Sequence, residues 1–254
     1  MPWPFTKKIA LRSLPLTCDI HTHILPGVDD GFRTAEDSLE LLEQFARNGV
    51  SQVIFTPHVD QGMFPENTRS FLQERFSTFK HSLPSGLNIN LRLAAEYMCD
   101  ELLEPRAARD TDIRQNANEP LLCMGDSSVL IEMSYYYISP YIKEVIFAFV
   151  NAGYKPILAH PERYVYLSRN LEVFDHFIEM GCRLQLNLLS LSGAYGPESL
   201  IILKHLLRND MYRFTGTDVH SLRQYRLIRE IEVDRAQATK IEAIMHNNKM
   251  LFRE

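Results

Sequence analysis

The sequence predicts an α/β fold, a parallel barrel of seven strand–helix units, and three observations carry that expectation. Short β-rich runs recur with their starts about 27 to 40 residues apart. Stretches whose apolar residues repeat with helical period stand between them. Six of the seven runs end in a histidine or a carboxylate, and a barrel gathers the carboxyl ends of its strands on one face. No glycine-rich turn follows the first run, so an open sheet that binds a dinucleotide or a nucleotide phosphate has no support.

Taken in order, the first run is Leu16–Ile20. Before it, Lys7, Lys8 and Arg12 lie among prolines with no apolar stretch long enough for a signal segment. Residues 1–15 are therefore expected to be an extension of a single domain spanning 1–254. Thr34 with Asp37 reads as a capping box for a helix over Ala35–Asn48, and Gly49 as its stop. Leu39, Leu42, Phe45 and Ala46 would form its apolar face. The second run, Gln52–Thr56, leads into an irregular stretch, Asp60–Thr68. The third, Ile89–Ala94, precedes another, Glu104–Pro120. Ser128–Ile131, Lys155–Ala159, Arg183–Leu186 and Tyr212–Thr215 complete the seven. Helical patterns cover Pro140–Asn151, Leu171–Met180, Pro197–Leu207 and, without interruption, Leu222–Ile244.

Composition narrows the function. The 254 residues carry 27 Lys+Arg against 32 Asp+Glu, a net charge of −5, so no basic surplus exists to neutralise nucleic-acid phosphates. No apolar run approaches the length of about 18 residues that a membrane span needs, and the expected location is the cytoplasm. Cys18, Cys99, Cys123 and Cys182 form no CxxC pair, and none has an arginine six positions later. A thiolate zinc site and the phosphate loop of cysteine-dependent phosphatases are both excluded.

The chemistry collects at the strand ends: Asp19-Ile-His21-Thr-His23, Thr56-Pro-His58, Ala95-Glu96, Glu132, His160-Pro-Glu-Arg163 and Thr217-Asp218-Val-His220. Singly, each has a structural reading: a lone histidine can be a hydrogen-bonded core residue, and Glu96 or Glu132 can pair with an arginine. Together, so many buried carboxylates and imidazoles at one barrel mouth would leave large desolvation costs that divalent cations remove. Nitrogen and oxygen donors without sulfur suit manganese, iron or zinc. His81, His176, His205 and His246 lie away from strand ends and read as ordinary surface or packing residues. The run Tyr135-Tyr136-Tyr137 reads as packing, with pocket lining as the alternative.

The segment Asp19-Ile-His-Thr-His-Ile-Leu-Pro-Gly-Val-Asp-Asp-Gly31 resembles the opening motif of the PHP (polymerase and histidinol phosphatase) superfamily. More narrowly it resembles the metal-dependent protein-tyrosine phosphatases of bacterial capsular-polysaccharide synthesis. Thr56-Pro-His58, Ala95-Glu96-Tyr97, His160-Pro-Glu-Arg-Tyr164 and Thr217-Asp-Val-His220 extend the resemblance in the same order, from Cys18 to about Ile244. Related sequences often read Ser-Asp-Ala-His-Asn where this one has Thr217-Asp-Val-His-Ser221, a change that keeps the ligands and bears on pocket shape.

The resemblance implies a distorted (β/α)7 barrel with three divalent ions, manganese preferred and iron, zinc or magnesium as alternatives. His21, His23, Glu96 and Asp218 would hold one ion; Glu96, Glu132 and His160 a second; Asp30, His58 and His220 the third. Arg163 would bind the phosphoryl oxygens, joined by Arg223 or Arg226, with Asp218 and His220 assisting proton transfer. Three ions and four carboxylates leave about +2 for a phosphate dianion, which metal-activated water would hydrolyse. The implied substrate is a phosphotyrosine protein, a bacterial tyrosine autokinase of polysaccharide export. A histidinol-phosphate or other small phosphomonoester phosphatase is the alternative within the superfamily. A metal amidohydrolase shares the HxH, but expects eight units and a lysine at the fourth strand end, where this chain has Glu132.

Overall fold

The structure, a computed structural model, describes residues 8–100, 103, 121–125 and 127–252. The stretch expected to be a loop over Glu104–Pro120 and the first seven residues lie outside the described residues.

Among the described residues, short strands form the barrel wall and a two-stranded strap outside it. In chain order these are β1 (Ile9–Ala10), β2 (Cys18–Asp19), β3 (Gln52–Phe55), β4 (His58–Val59), β5 (Asn90–Leu93), β6 (Glu96–Met98), β7 (Ser128–Glu132), β8 (Lys155–Ala159), β9 (Arg183–Asn187) and β10 (Tyr212–Gly216). An eleventh strand, β11 (Glu232–Val233), pairs antiparallel with β1 across the outside. All barrel pairings are parallel: β2 with β3, β3 with β5, β4 with β6, then β6 through β10 in order.

Two pairs of these strands are each one tract with a local break. Gln52 pairs with Asn90 and His58 with Glu96, the same offset of 38 residues (90 − 52 = 96 − 58). The register therefore runs on through Thr56-Pro57, where proline cannot donate to the ladder. Counted as tracts, the barrel strands among the described residues number seven, as the sequence predicts. The ring closes between first and last: Asp218 N–H donates to His21 O at 2.8 Å and His23 N–H to Val219 O at 3.1 Å. Thr22 and Val219 form a parallel bridge there.

Among the described residues, the helices whose bounds are defined around the tracts are α1 (Ala35–Arg47), α2 (Arg69–Ser82), α3 (Ile142–Asn151), α4 (Val173–Glu179), α5 (Pro197–Arg208), α6 (Leu222–Glu230) and α7 (Arg235–Asn247). Thr34 caps α1 by accepting from Asp37 N–H at 3.2 Å; no return bond from the short Asp37 side chain accompanies it, so this is half a capping box. Gly49 ends the helix at φ +86°. Its buried face is Ser38, Leu41, Leu42 and Phe45, so Leu41 replaces the expected Leu39, which is half-buried. The continuous helix expected over Leu222–Ile244 is two helices. Asp234 forms a full capping box with Gln237 and starts a new helix, while Glu232–Val233 joins β1. Helix α2, which the sequence reading did not pick out, is capped by Thr68 and buries only Leu72 and Phe79 of its fourteen residues.

Two hydrophobic clusters result. The outer one packs helices on strands through side chains such as Val53, Phe55, Val129, Ile131, Leu158, Leu184 and Leu186. The inner one holds Cys18, Ile20, Ile54, Ala94, Leu130, Ile157, Ala159 and Phe214, joined by Leu251 and Phe252. Asn248 anchors that end, donating to Cys18 O at 2.8 Å and Thr215 O at 2.9 Å.

Candidate active site

Strand alternation explains most of the rim. Side chains two apart face the same way, so Ile54 of the inner cluster is followed inward by Thr56 and His58, Ala94 by Glu96, and Leu130 by Glu132. His160 breaks the rule. Ile157 and Ala159 belong to the inner cluster, so alternation alone sends residue 160 outward with Leu158. Its backbone sits instead in the left-handed region (φ 34°, ψ 53°), which returns the ring to within 2.9 Å of Glu96 Oε1. Asp218 is also left-handed, at φ 51°.

Two glycines let the rim close. A Cβ on Gly216 would lie 2.5 Å from His21 Cβ, and one on Gly31 would lie 2.1 Å from His23 O. Only glycine fits either place.

The tightest group is His21, His23, Glu96 and Asp218, all buried. His21 Nε2 lies 3.2 Å from His23 Nε2, 3.2 Å from Glu96 Oε2 and 3.3 Å from Asp218 Oδ1. His23 Nε2 lies 3.3 and 3.4 Å from the same two oxygens. The outer ring nitrogens fix the tautomers. His21 Nδ1 faces Gln185 Oε1 at 2.9 Å and His23 Nδ1 faces Asp29 Oδ2 at 2.8 Å, so both Nδ1 atoms donate. In the neutral rings, both Nε2 atoms then carry lone pairs, and they confront two carboxylate oxygens. Four acceptors at this spacing need a cation between them. Donors about 2.0–2.1 Å from a tetrahedral ion lie roughly 3.3–3.4 Å apart, and the separations between the two imidazoles and from them to the two carboxylates, 3.2–3.4 Å, match this. The donor set fits a divalent metal.

The other expected ligands adjoin this group. His58 lies between two sets, its Nδ1 at 2.8 Å from Glu132 Oε1 and 3.2 Å from Glu96 Oε2, its Nε2 at 3.4 Å from Asp30 Oδ1. His220 Nε2 is 3.3 Å from Asp30 Oδ1, while its Nδ1 donates to Asp218 O at 2.9 Å. Glu96 Oε2 and His160 Nδ1 are buried without a hydrogen-bond partner.

The electrostatics carry the same message. Burial alone would lower the His23 pKa, yet Asp29, Asp218 and Glu96 raise it well above the ordinary imidazole value. Burial likewise opposes His58, which Glu132 and Asp30 raise. Conversely, burial would raise Glu96 and Asp218, and the surrounding imidazoles hold both well below the usual carboxylate range. The basin draws positive charge.

Several residues at the rim escaped the sequence reading. Gln185 and Asn187, inward on β9, supply amides where the other tracts supply His or carboxylate. Asn187 Nδ2 donates to Asp218 Oδ2 at 2.7 Å. Asp29 holds His23 and also accepts from His58 N–H at 3.2 Å. Asp19 accepts from Thr217 Oγ1 and N, and Glu162 from Ser190, Tyr212 and Asn187 N–H; both carboxyls are buried structural acceptors. Period-two alternation marks Gln185 and Asn187 as a pair on one face. The adjacent aspartates of the Gly27–Gly31 turn mark Asp29.

Arg163 donates from Nη1 to Asp218 Oδ2 at 3.0 Å. A cleft of about 820 Å³ opens beside the basin, lined by Asp30, His58, Phe64, Glu132 and all three tyrosines of the 135–137 run. The pocket-lining alternative therefore holds for that run, and Tyr136 stands 89% exposed at the mouth. Residues Asp60–Phe64 of the expected loop form the facing wall. Arg223 and Arg226 line a separate cleft of about 440 Å³ on the far side of His220, where Arg226 lies 3.5 Å from Glu40. Neither touches the buried group.

Fold and site together define a β/α-barrel enzyme with a histidine- and carboxylate-lined carboxyl rim. The chain belongs to the capsular polysaccharide synthesis family CpsB/CapC, whose model matches residues 17–249. It is 28% identical over 208 residues to the tyrosine-protein phosphatase YwqE of Bacillus subtilis, covering 81% of this chain and 78% of the relative. It is 29% identical over 215 residues to the tyrosine-protein phosphatase CpsB of Streptococcus agalactiae, covering 80% and 83%. Among solved structures, one from work on B. subtilis YwqE and Streptococcus pneumoniae CpsB, described as metal-dependent tyrosine phosphatases, superposes with a TM-score of 0.69. At 22% identity, over 92% of this chain and 94% of that one, it shares the barrel fold.

Proposed function

We propose that the chain is a metal-dependent protein-tyrosine phosphatase acting in the cytoplasm, with a tyrosine kinase of capsular or extracellular polysaccharide synthesis as its substrate. The observation that carries this is the set of four facing acceptors on His21, His23, Glu96 and Asp218. Family membership and the names of the relatives supply the phosphotyrosine substrate.

His21, His23, Glu96 and Asp218 would hold one ion, Glu96, Glu132 and His160 a second, and Asp30, His58 and His220 a third, manganese being the proposed metal. Such ions supply Lewis acidity, which brings the pKa of water toward ~7, and positive charge that neutralises a transferring phosphoryl group. The protein's part is arrangement. Asp29 adds a fifth carboxylate directly against His23, so three divalent ions would leave about +6 − 5 = +1 rather than the +2 expected from four. Arg163 supplies the remaining charge, a planar donor set suited to phosphoryl oxygens. Asp218 is divided between tasks: Oδ1 faces the imidazoles and Oδ2 accepts from Arg163 and Asn187. His220 keeps its Nδ1 proton on the Asp218 carbonyl and is the proposed partner of Asp218 in proton transfer. Arg223 or Arg226, which line the second cleft beside His220, is the proposed contact for substrate that reaches there.

No thiolate takes part. Burial pushes the thiols of Cys99, Cys123 and Cys182 up to about 12 and that of Cys18 higher still, so all four stay protonated at neutral pH. The test combines elemental analysis with hydrolysis of a phosphotyrosine peptide and of histidinol phosphate. Two to three ions per chain, peptide turnover abolished by chelator and turnover retained after thiol alkylation are expected. Preference for histidinol phosphate would move the reading to a small-molecule phosphatase, and loss on alkylation would end it.

A further inference from the structure

We propose that Tyr195 and Tyr135 are positioning residues that clamp the Arg163 guanidinium and aim its free edge at the substrate's phosphoryl group, an inference that rests on the phosphatase reading above. The Arg163 guanidinium carbon lies 4.2 Å from the centre of the Tyr135 ring and 4.6 Å from that of Tyr195. The planar group is thus engaged by cation–π contact with two rings, which leaves N–H donors at its edge for other partners. One edge is used, Nη1 donating to Asp218 Oδ2. Among the described residues Asp218 is the one acceptor that Arg163 meets, and the side chain remains 19% exposed beside the basin. The other edge is available to a ligand.

The two rings are themselves tied to the rim. Tyr135 Oη is 3.4 Å from Glu132 Oε2, and Asn187, on the strand that leads into the turn carrying Tyr195, donates to Asp218 Oδ2 at 2.7 Å. Asp218 Oδ2 therefore accepts from both Arg163 and Asn187, while Tyr195 covers the guanidinium. Tyr195 is carried on a turn flanked by Gly193 at φ +80° and Gly196 at φ +92°, backbone that a side chain would strain. A long arginine loses much rotamer freedom when it grips an anion. Rings that restrict it beforehand lower that loss, which strengthens ground-state and transition-state binding of the phosphoryl oxygens alike.

The experiment compares Tyr195→Ala, Tyr195→Leu and Tyr195→Phe with the unaltered protein in hydrolysis of a small aryl phosphate and in inhibition by inorganic phosphate. Metal content is measured throughout. Tyr195→Ala and Tyr195→Leu should raise KM and the phosphate inhibition constant together by about 3- to 30-fold. Metal content should be unchanged and kcat less affected. Tyr195→Phe, which keeps the ring face, should restore both constants. Equal impairment in Phe and Ala would assign the effect to the hydroxyl, and unchanged inhibition in Leu would show that the ring does not hold the arginine; either overturns the proposal. If the unaltered protein cleaves no aryl phosphate, the phosphatase reading fails by itself. Equilibrium dialysis with labelled phosphate then still decides the clamp, a weaker affinity in Tyr195→Leu supporting it and an unchanged one refuting it.

Discussion

Along the same strands, the lower and upper halves of the barrel interior obey different rules. Below, Ile54, Ala94, Leu130, Ile157 and Phe214 pack as an apolar plug in ordinary extended backbone. One step higher, the same tracts present His58, Glu96, Glu132, His160 and Asp218, with two residues in left-handed backbone and two glycines pressed against the backbone and Cβ atoms of His23 and His21. The plug is stable by burial and indifferent to detail. The rim brings acceptors face to face and tolerates strain, and it gains stability only when a cation joins it. Function sits where local rules are broken and the plug beneath absorbs the cost.

That contrast can be broken or sharpened by experiment. The largest effect is expected from Glu96→Gln, which removes the carboxylate oxygen shared by His21, His23 and His58. Turnover should fall by roughly two orders of magnitude or more, with loss of at least about one ion per chain by elemental analysis. Retained metal would mean that the rim does not behave as one unit. Next, Gly216→Ala drives a methyl group into His21 Cβ. Denaturant unfolding should show a loss of about 1–3 kcal/mol, together with reduced metal content, because the rim has no slack. Smallest is Ile157→Val in the plug. It should cost about 0.5–1.5 kcal/mol and leave KM and metal content unchanged. A change in either constant would couple the two halves.

Much of the fold was legible in the sequence because the signals were local. All seven tracts follow β-rich runs with turn residues at their ends, and Thr34 and Gly49 mark their helix at both ends. Helix α2 was not, since its polar surface leaves few apolar positions to reveal the period. Nor was the break at Ile231, where Asp234 outbids helical continuity only because β11 finds β1 far away in the chain. The rim was legible as residue types at strand ends. Its pairings were not: Asp29 on His23, Gln185 on His21 and the tyrosines about Arg163 are contacts between distant segments. His160 shows the limit most directly, for strict alternation points it the wrong way and one backbone angle corrects it.

Ring closure has a consequence for how the molecule comes into being. Asp19 and Thr217, which hydrogen-bond across the seam, stand 198 residues apart in the chain. Their loop-closure entropy can be recovered only late, so folding is expected to be slow and to proceed through open, partly built sheets. A ribosome would have released nearly every strand before His21 could meet Asp218. The metal basin is thus the last thing the chain completes, and a nascent polypeptide cannot hydrolyse anything until both margins of the sheet have found each other.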